Sequence, residues 1–269
     1  MVFDASFHSN DKIIAFASSD GIIRLWDREK TGSQSKIGEI RALDFTEYQS
    51  AYHIYRLDFH PKSDILAYGY EDGGVYIWNW KDNQQPQLLV NKHRNLITGI
   101  QFSSDGKLLA SASNDGNIKI WDTSSTNNYI LKGEINTGDS IYGLALTKNK
   151  DGVNFLASSH RDKDEGIKIW SLSQLENNQP LKEPDEQLLG HTEEIKGINF
   201  VPNNPSIIVS SSQDETIRIW LWEKNKINQH NPTLKDLLKY ACYFSKDYFV
   251  SHPNNQDVQT TYSICQNNL

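Results

Sequence analysis

The sequence predicts an all-β fold built by repetition. Five tryptophans, Trp26, Trp78, Trp121, Trp170 and Trp220, recur at spacings of 52, 43, 49 and 50 residues. An aspartate stands six residues before each: Asp20, Asp72, Asp115, Asp164 and Asp214. A strand-like run leads into every one of these tryptophans, and turn residues separate the runs. A period of this length means stacked units, each relying on its neighbours to bury its apolar surface.

The third unit, His93 to Asp122, shows the plan most clearly. Ile97, Ile100 and Phe102 mark a first strand, and SSDG at 103–106 is a turn. Leu108 to Ser113 is a second strand rich in small residues. Asn114-Asp115-Gly116 is a tight hairpin turn, where Asn and Gly tolerate positive φ. Ile118, Ile120 and Asp122 alternate with Lys119 and Trp121 in a third strand, and a weaker fourth lies near Tyr129 to Leu131. The other units repeat the plan, with fourth strands expected near Ile37–Phe45 and Pro86–Val90 and a longer turn at Arg161–Gly166. Segments 28–35, 80–85 and 172–185 read as polar loops. The boundaries of the five units are about 2–49, 50–92, 93–136, 137–190 and 191–222.

Composition narrows the function. A net charge of −7 gives the 269-residue chain no general basic character, which counts against nucleic acid as its main partner. Two cysteines, Cys242 and Cys265, form no CxxC pair, as expected of a cytoplasmic protein. No run is apolar and long enough to span a membrane, so no membrane partner is expected. No phosphate loop, dinucleotide fingerprint or zinc motif is present, and no cofactor or metal is expected.

These units resemble WD40 repeats. The WD dipeptide stands as Trp26-Asp27 and Trp121-Asp122, and the family's Gly-His as Gly190-His191. The resemblance covers about residues 2–222. It implies a β-propeller of five recognisable four-stranded blades around a channel, the ring left incomplete. It also implies a hydrogen-bonded tetrad within a blade. His93, Ser111, Asp115 and Trp121 supply one such set, and His191, Ser210, Asp214 and Trp220 another. In both, the His precedes the strand Phe by nine residues. Units 1, 2 and 4 lack the aligned His, since His53 is too close to Phe59.

A Ser, a His and an Asp together invite comparison with a catalytic triad. Repetition in separate units and the need of a buried indole N–H for an acceptor favour a structural network instead. His160-Arg161-Asp162 matches three letters of the kinase catalytic loop without the rest, and reads as a charged turn. Asp162, Asp164 and Glu165 lack calcium-loop spacing. His8 and His60 have no partner at metal-ligand spacing. The expectation is therefore a non-catalytic interaction scaffold, with a propeller enzyme of the hydrolase kind, using an unrecognised channel site, as the alternative. By analogy with WD-repeat proteins, the partner-binding face comprises His53, Tyr55, Leu96, Thr98, Tyr142, Glu194 and Lys196, a mixture suited to a protein or peptide.

The ends complete the expectation. Val2 aligns with the start of a first strand, and EKNKINQHNP after Trp222 is too polar for a fourth strand of unit 5. A second chain, or a further part of a larger propeller, is expected to complete the ring. Residues 223–269 are expected to form a helical extension, with Thr233 as N-cap and Leu234, Leu237, Leu238, Ala241, Phe244 and Tyr248 on one face. This tail resembles the C-terminal extension of large bacterial WD-repeat proteins, several of which carry a signalling-type NTPase upstream. The resemblance implies the sensor or regulatory end of such a protein, with an NTPase as partner.

Overall fold

A computed structural model describes residues 1–41, 53–82, 85–125, 128–148, 152, 154–176, 181–201 and 204–222. The expected helical extension and the end of the first unit lie outside these residues. Nineteen strands are described, and each sheet is one sequence unit. Blade 1 holds β1 (Val2–Phe7), β2 (Ile13–Ser18), β3 (Ile22–Asp27) and β4 (Lys36–Arg41). Blade 2 holds β5 (Ile54–Phe59), β6 (Ile65–Tyr70), β7 (Val75–Asn79) and β8 (Gln87–Leu88). Blade 3 holds β9 (Ile97–Phe102), β10 (Leu108–Ser113), β11 (Asn117–Asp122) and β12 (Ile130–Asn136). Blade 4 holds β13 (Ile141–Lys148), β14 (Asn154–His160), β15 (Ile167–Ser171) and β16 (Glu186–Leu188). Blade 5 holds β17 (Ile195–Val201), β18 (Asn204–Ser212) and β19 (Ile217–Leu221).

All pairings are antiparallel and follow chain order. Four blades have four strands; among the described residues blade 5 has three, and the segment after Trp222, expected to be too polar for its fourth, lies outside them. The fourth strand of blade 3 lies further along than expected, at Ile130–Asn136. The segment 172–185 also differs from a plain polar loop. It contains the single turn of helix α1 (Ser173–Glu176), anchored because Leu172 and Leu175 are both buried.

Contacts between blades run β1–β5–β9–β13–β17, so these five are the innermost strands. Among the described residues no comparable contact joins β17 back to β1, and no closed ring is seen. Gly99 explains how closely these strands approach: a Cβ there would lie 2.6 Å from Cβ of Leu144 in the next blade.

The core consists of layers between blades. Strand alternation places Leu109 and Trp121 on one face of blade 3, and Ala110, Ala112, Ile118 and Ile120 on the other. The first face packs on Ala67, Val75 and Ile77 of blade 2. The second packs on Leu146, Leu156 and Trp170 of blade 4. The same rule joins blade 1 to 2 and blade 4 to 5. The tryptophans of blades 2 to 5 are thus placed on the face turned to the preceding blade. Burying a side chain of this size is worth roughly 1.5–3 kcal/mol.

Candidate functional site

The tetrad residues meet in blade 5. His191 Nδ1 lies 2.7 Å from Asp214 Oδ2, and its Nε2 lies 2.7 Å from Ser210 Oγ. Trp220 Nε1 donates to the same Oγ at 2.7 Å. Burial pushes the Asp214 carboxyl up, but the Thr216 hydroxyl, His191 and the Thr192 and Thr216 N–H groups outweigh it, and its pKa falls below the usual carboxylate range. In blade 3, His93 bridges Asp115 at 3.2 Å and Ser111 at 2.6 Å. Here Trp121 Nε1 finds no hydrogen-bond partner among the described residues, so the expected fourth member joins by packing alone, its ring centroid 6.4 Å from that of His93. Asp115 is held low in the same way: burial raises it, and His93 with the N–H groups of Arg94 and Asn117 lowers it further.

Blade 4 holds a network that the sequence reading missed. His160 is not part of a charged turn; it ends β14 and is fully buried. Its Nε2 lies 3.0 Å from Ser158 Oγ, to which Trp170 Nε1 donates at 3.2 Å. Burial, then the charge of Lys168, lowers the His160 pKa to about 4, so the ring is neutral. The signal in the sequence was position: His160 stands two residues after Ser158 on one strand, so both side chains share a face. In blade 2 tyrosines replace the tetrad. Tyr68 stacks on Tyr76 at 5.5 Å, and Tyr70 meets Tyr76 edge-on at 5.1 Å. In blade 1, Asp20 pairs with Arg24 at 2.7 Å instead. These side chains differ from blade to blade while the strands keep their register. Ser158, Ser111, Ser210 and their histidines are all buried.

The innermost strands share one irregularity. Each has a β-bulge at its second residue, where the partner register skips one position: Phe3, Tyr55, Thr98, Tyr142 and Lys196. A bulged residue leaves the ladder and its side chain is re-aimed. The five therefore occupy one station in successive blades. Tyr55 contacts the ring of Phe3 at 4.6 Å, and His53 lies 5.9 Å from Tyr55 and 3.5 Å from the Glu71 carboxylate. At the other end of the row Lys196 sits 4.3 Å above the Tyr142 ring and pairs with Glu194. Between them, Thr98 is buried, its carbonyl accepting from Arg56 Nε at 2.7 Å, and Leu96 is half-buried. All seven face residues expected from the sequence thus lie on or just before innermost strands. Phe3 and Arg56 are additions. Phe3 was legible, because aligning Val2 with Ile54 gives it the station of Tyr55.

A second regularity couples the blades. Leu57 N–H donates to Asp4 Oδ2 at 3.0 Å, Phe59 N–H to Ser6 Oγ at 3.3 Å, Phe102 N–H to Asp58 Oδ2 at 2.8 Å and Leu146 N–H to Gln101 Oε1 at 2.6 Å. A polar side chain on each of the first three innermost strands thus satisfies the backbone of the next. Burial pushes the Asp58 carboxyl up to about 7, against the lowering effect of Phe102 N–H and Ser6. His60, which the sequence set aside as a ligand, reaches the Gly106 carbonyl at 3.0 Å. His8 lies 3.2 Å from Asp64. Among the described residues no group of three or more His, Cys, Asp or Glu is arranged to hold a metal.

Known proteins share this architecture. The family model described as "WD domain, G-beta repeat" matches residues 1–27 and 182–220, and that described as "IFT140 first beta-propeller" matches 37–132. Apoptotic protease-activating factor 1 of Rattus norvegicus is 23% identical, over 86% of this chain and 24% of its own length. Protein LST8 homolog of Dictyostelium discoideum is 26% identical, over 77% of this chain and 76% of its own. A chain in "Crystal Structure of Mitotic Checkpoint Complex" is 18% identical with a TM-score of 0.65, over 82% of this chain and 63% of that one. These matches support placing the chain among WD40-repeat β-propeller proteins. It spans about a quarter of the length of the first relatives.

Proposed function

We propose that this chain is a non-catalytic scaffold that binds a protein or peptide along the row of bulged residues. One observation carries the reading: a bulge recurs at the same station of five innermost strands, and the residues there differ. Repetition fixes the position of the station, while Phe3, Tyr55, Thr98, Tyr142 and Lys196 vary its chemistry from aromatic to cationic. Such a row suits a chain laid across the inner end of the blades, with aromatic anchors at one end and the Glu194–Lys196 pair at the other. The burial of the Ser–His pairs supports reading them as structural networks; the enzyme alternative, a channel site outside them, is the second reading. A cytoplasmic scaffold acting as the regulatory end of a signalling NTPase protein is the narrower form of the proposal, supported by the tail resemblance.

The test is affinity capture with the intact chain and with a Tyr55→Ala/Lys196→Glu variant. Both side chains lie off the ladder, so the variant is expected to stay folded by circular dichroism, with a urea midpoint lowered only by the lost Tyr55–Phe3 and Lys196–Glu194 contacts, while releasing the captured partner. Equal capture by both proteins would sink the assignment.

A further inference from the structure

A small cavity lies at the boundary of blades 3 and 4, at the end of the strands away from the bulged row. Strand β13 begins beside the row and reaches the cavity at Lys148, about 20 Å beyond Tyr142 by strand rise. The cavity has a volume of about 260 Å³. Leu108 of β10, with Leu172 and Leu175 after β15, forms an apolar wall, and all three are buried. No residue of the row or of the Ser–His networks lines it.

The carboxylates around the cavity are largely spent. Asp105 Oδ1 accepts from Ser103 Oγ at 2.8 Å and from the Lys107 N–H at 3.0 Å, and its Oδ2 takes Lys148 Nζ at 2.7 Å. Asp122 Oδ1 accepts from both the N–H and the hydroxyl of Ser124. Two ammonium groups are not spent. Lys132 Nζ stands 3.8 Å from Asp122 Oδ2, beyond hydrogen-bond reach. The Lys107 side chain makes no hydrogen bond among the described residues and acts on Asp122 through its charge alone. Three lysines against two aspartates leave the lining one positive charge in excess. On the blade 4 side, Asn154 lines the cavity and its Oδ1 is buried without a hydrogen-bond partner among the described residues. Buried polar groups are almost always satisfied, so this oxygen marks a place for a donor. The Leu172 N–H donates to the Asn154 carbonyl at 2.9 Å, so the apolar wall adjoins that amide.

We propose that this cavity binds a small aliphatic hydroxy acid. Each loose end of the lining then has a counterpart on the ligand. The carboxylate meets the ammonium groups of Lys107 and Lys132, the hydroxyl donates to Asn154 Oδ1, and the aliphatic body lies on Leu108, Leu172 and Leu175. An apolar wall with a few convergent polar groups is the usual make-up of a small-molecule site. A monoanion matches the single excess charge. A zwitterionic amino acid brings no net charge to it, and a phosphate ester brings more than one negative charge. The separation from the bulged row leaves both places free to be filled at once.

The test is isothermal titration calorimetry of the full chain with 2-hydroxy-4-methylpentanoate, compared with three other probes. The deoxy acid 4-methylpentanoate lacks the hydroxyl, 2-hydroxy-4-methylpentanamide lacks the charge, and inorganic phosphate lacks the aliphatic body. The hydroxy acid is expected to bind about tenfold or more tightly than each of them. Lys107→Glu, at an exposed side chain, is expected to weaken its binding about tenfold or more while circular dichroism stays unchanged. Asn154→Leu is expected to bind the hydroxy acid and the deoxy acid equally, a loss of discrimination that misfolding does not produce. No heat with the hydroxy acid would overturn the proposal. So would binding indifferent to Lys107→Glu, or equal binding of the amide. Phosphate binding as tightly as the hydroxy acid would make the cavity an inorganic anion site and overturn it as well.

Discussion

Replacing Ser158 with alanine measures what the blade 4 network contributes. Ser158 Oγ accepts from Trp170 Nε1 at 3.2 Å and lies 3.0 Å from His160 Nε2. All three residues are almost fully buried, so neither partner gains water when the hydroxyl is lost. Stranding a buried polar group costs about 1–3 kcal/mol, so two stranded groups predict a loss of about 2–5 kcal/mol. Ser111→Ala in blade 3 is the internal control. Ser111 serves His93 alone, because Trp121 Nε1 has no bond to lose, and its expected cost is about 1–3 kcal/mol. Urea unfolding followed by circular dichroism measures both, with equal m-values required for the comparison. The double variant Ser158→Ala/His160→Phe is expected to regain part of the loss, since removing both members leaves fewer groups unpaired. The reasoning is refuted if Ser158→Ala costs no more than Ser111→Ala, or if the double variant is less stable than the sum of its parts.

Three further outcomes follow from the same geometry. Gly73 has φ +86°, and a Cβ there would lie 2.3 Å from the His93 carbonyl oxygen; Gly73→Ala is expected to cost roughly 2 kcal/mol or more in urea unfolding. Gln101→Leu removes the acceptor of Leu146 N–H and is expected to cost about 1–3 kcal/mol, with faster amide hydrogen exchange at Leu146 as its signature. The pH profile of stability should carry two opposed slopes. His160 is lowered to about 4 from 6.5, so the unfolded chain binds its proton first; this stability is full above pH 6.5 and is lost as pH falls towards 4. Asp58 is raised to about 7 from 3.8, so the folded chain holds its proton; this stability is full below pH 3.8 and is lost as pH rises through 7. Urea midpoints from pH 4 to 8 should therefore lose one slope in His160→Phe and the other in Asp58→Asn. Unchanged profiles in both variants would contradict the assignment of either proton.

The repeat was legible because it is written in covalent spacing. Trp at the end of a third strand and Asp in the turn before it recur wherever the same hairpin is built. The tetrads of blades 3 and 5 were legible for the same reason: a fixed register brings His, Ser and Asp together. The bond missing at Trp121 was not, because packing, not strand register, decides whether an indole reaches a hydroxyl. His160 was read as part of a turn because it enters from the second strand rather than from the loop before the first. The acceptors Asp58 and Gln101 escaped because their partners belong to the next unit, 44 and 45 residues away, and no local pattern signals such a pair. The bulges lay beyond sequence reasoning too, since a residue that drops out of a ladder has the same neighbours in the chain as one that stays in.

The bulge has an evolutionary consequence. A residue in the ladder is constrained twice, by its backbone bonds and by the side chains across the strand. Phe3, Tyr55, Thr98, Tyr142 and Lys196 stand in equivalent places, yet three are aromatic, one carries a hydroxyl and one a cation. Substitution at such a point leaves strand pairing intact, so the side chain there can change one blade at a time while the scaffold is kept.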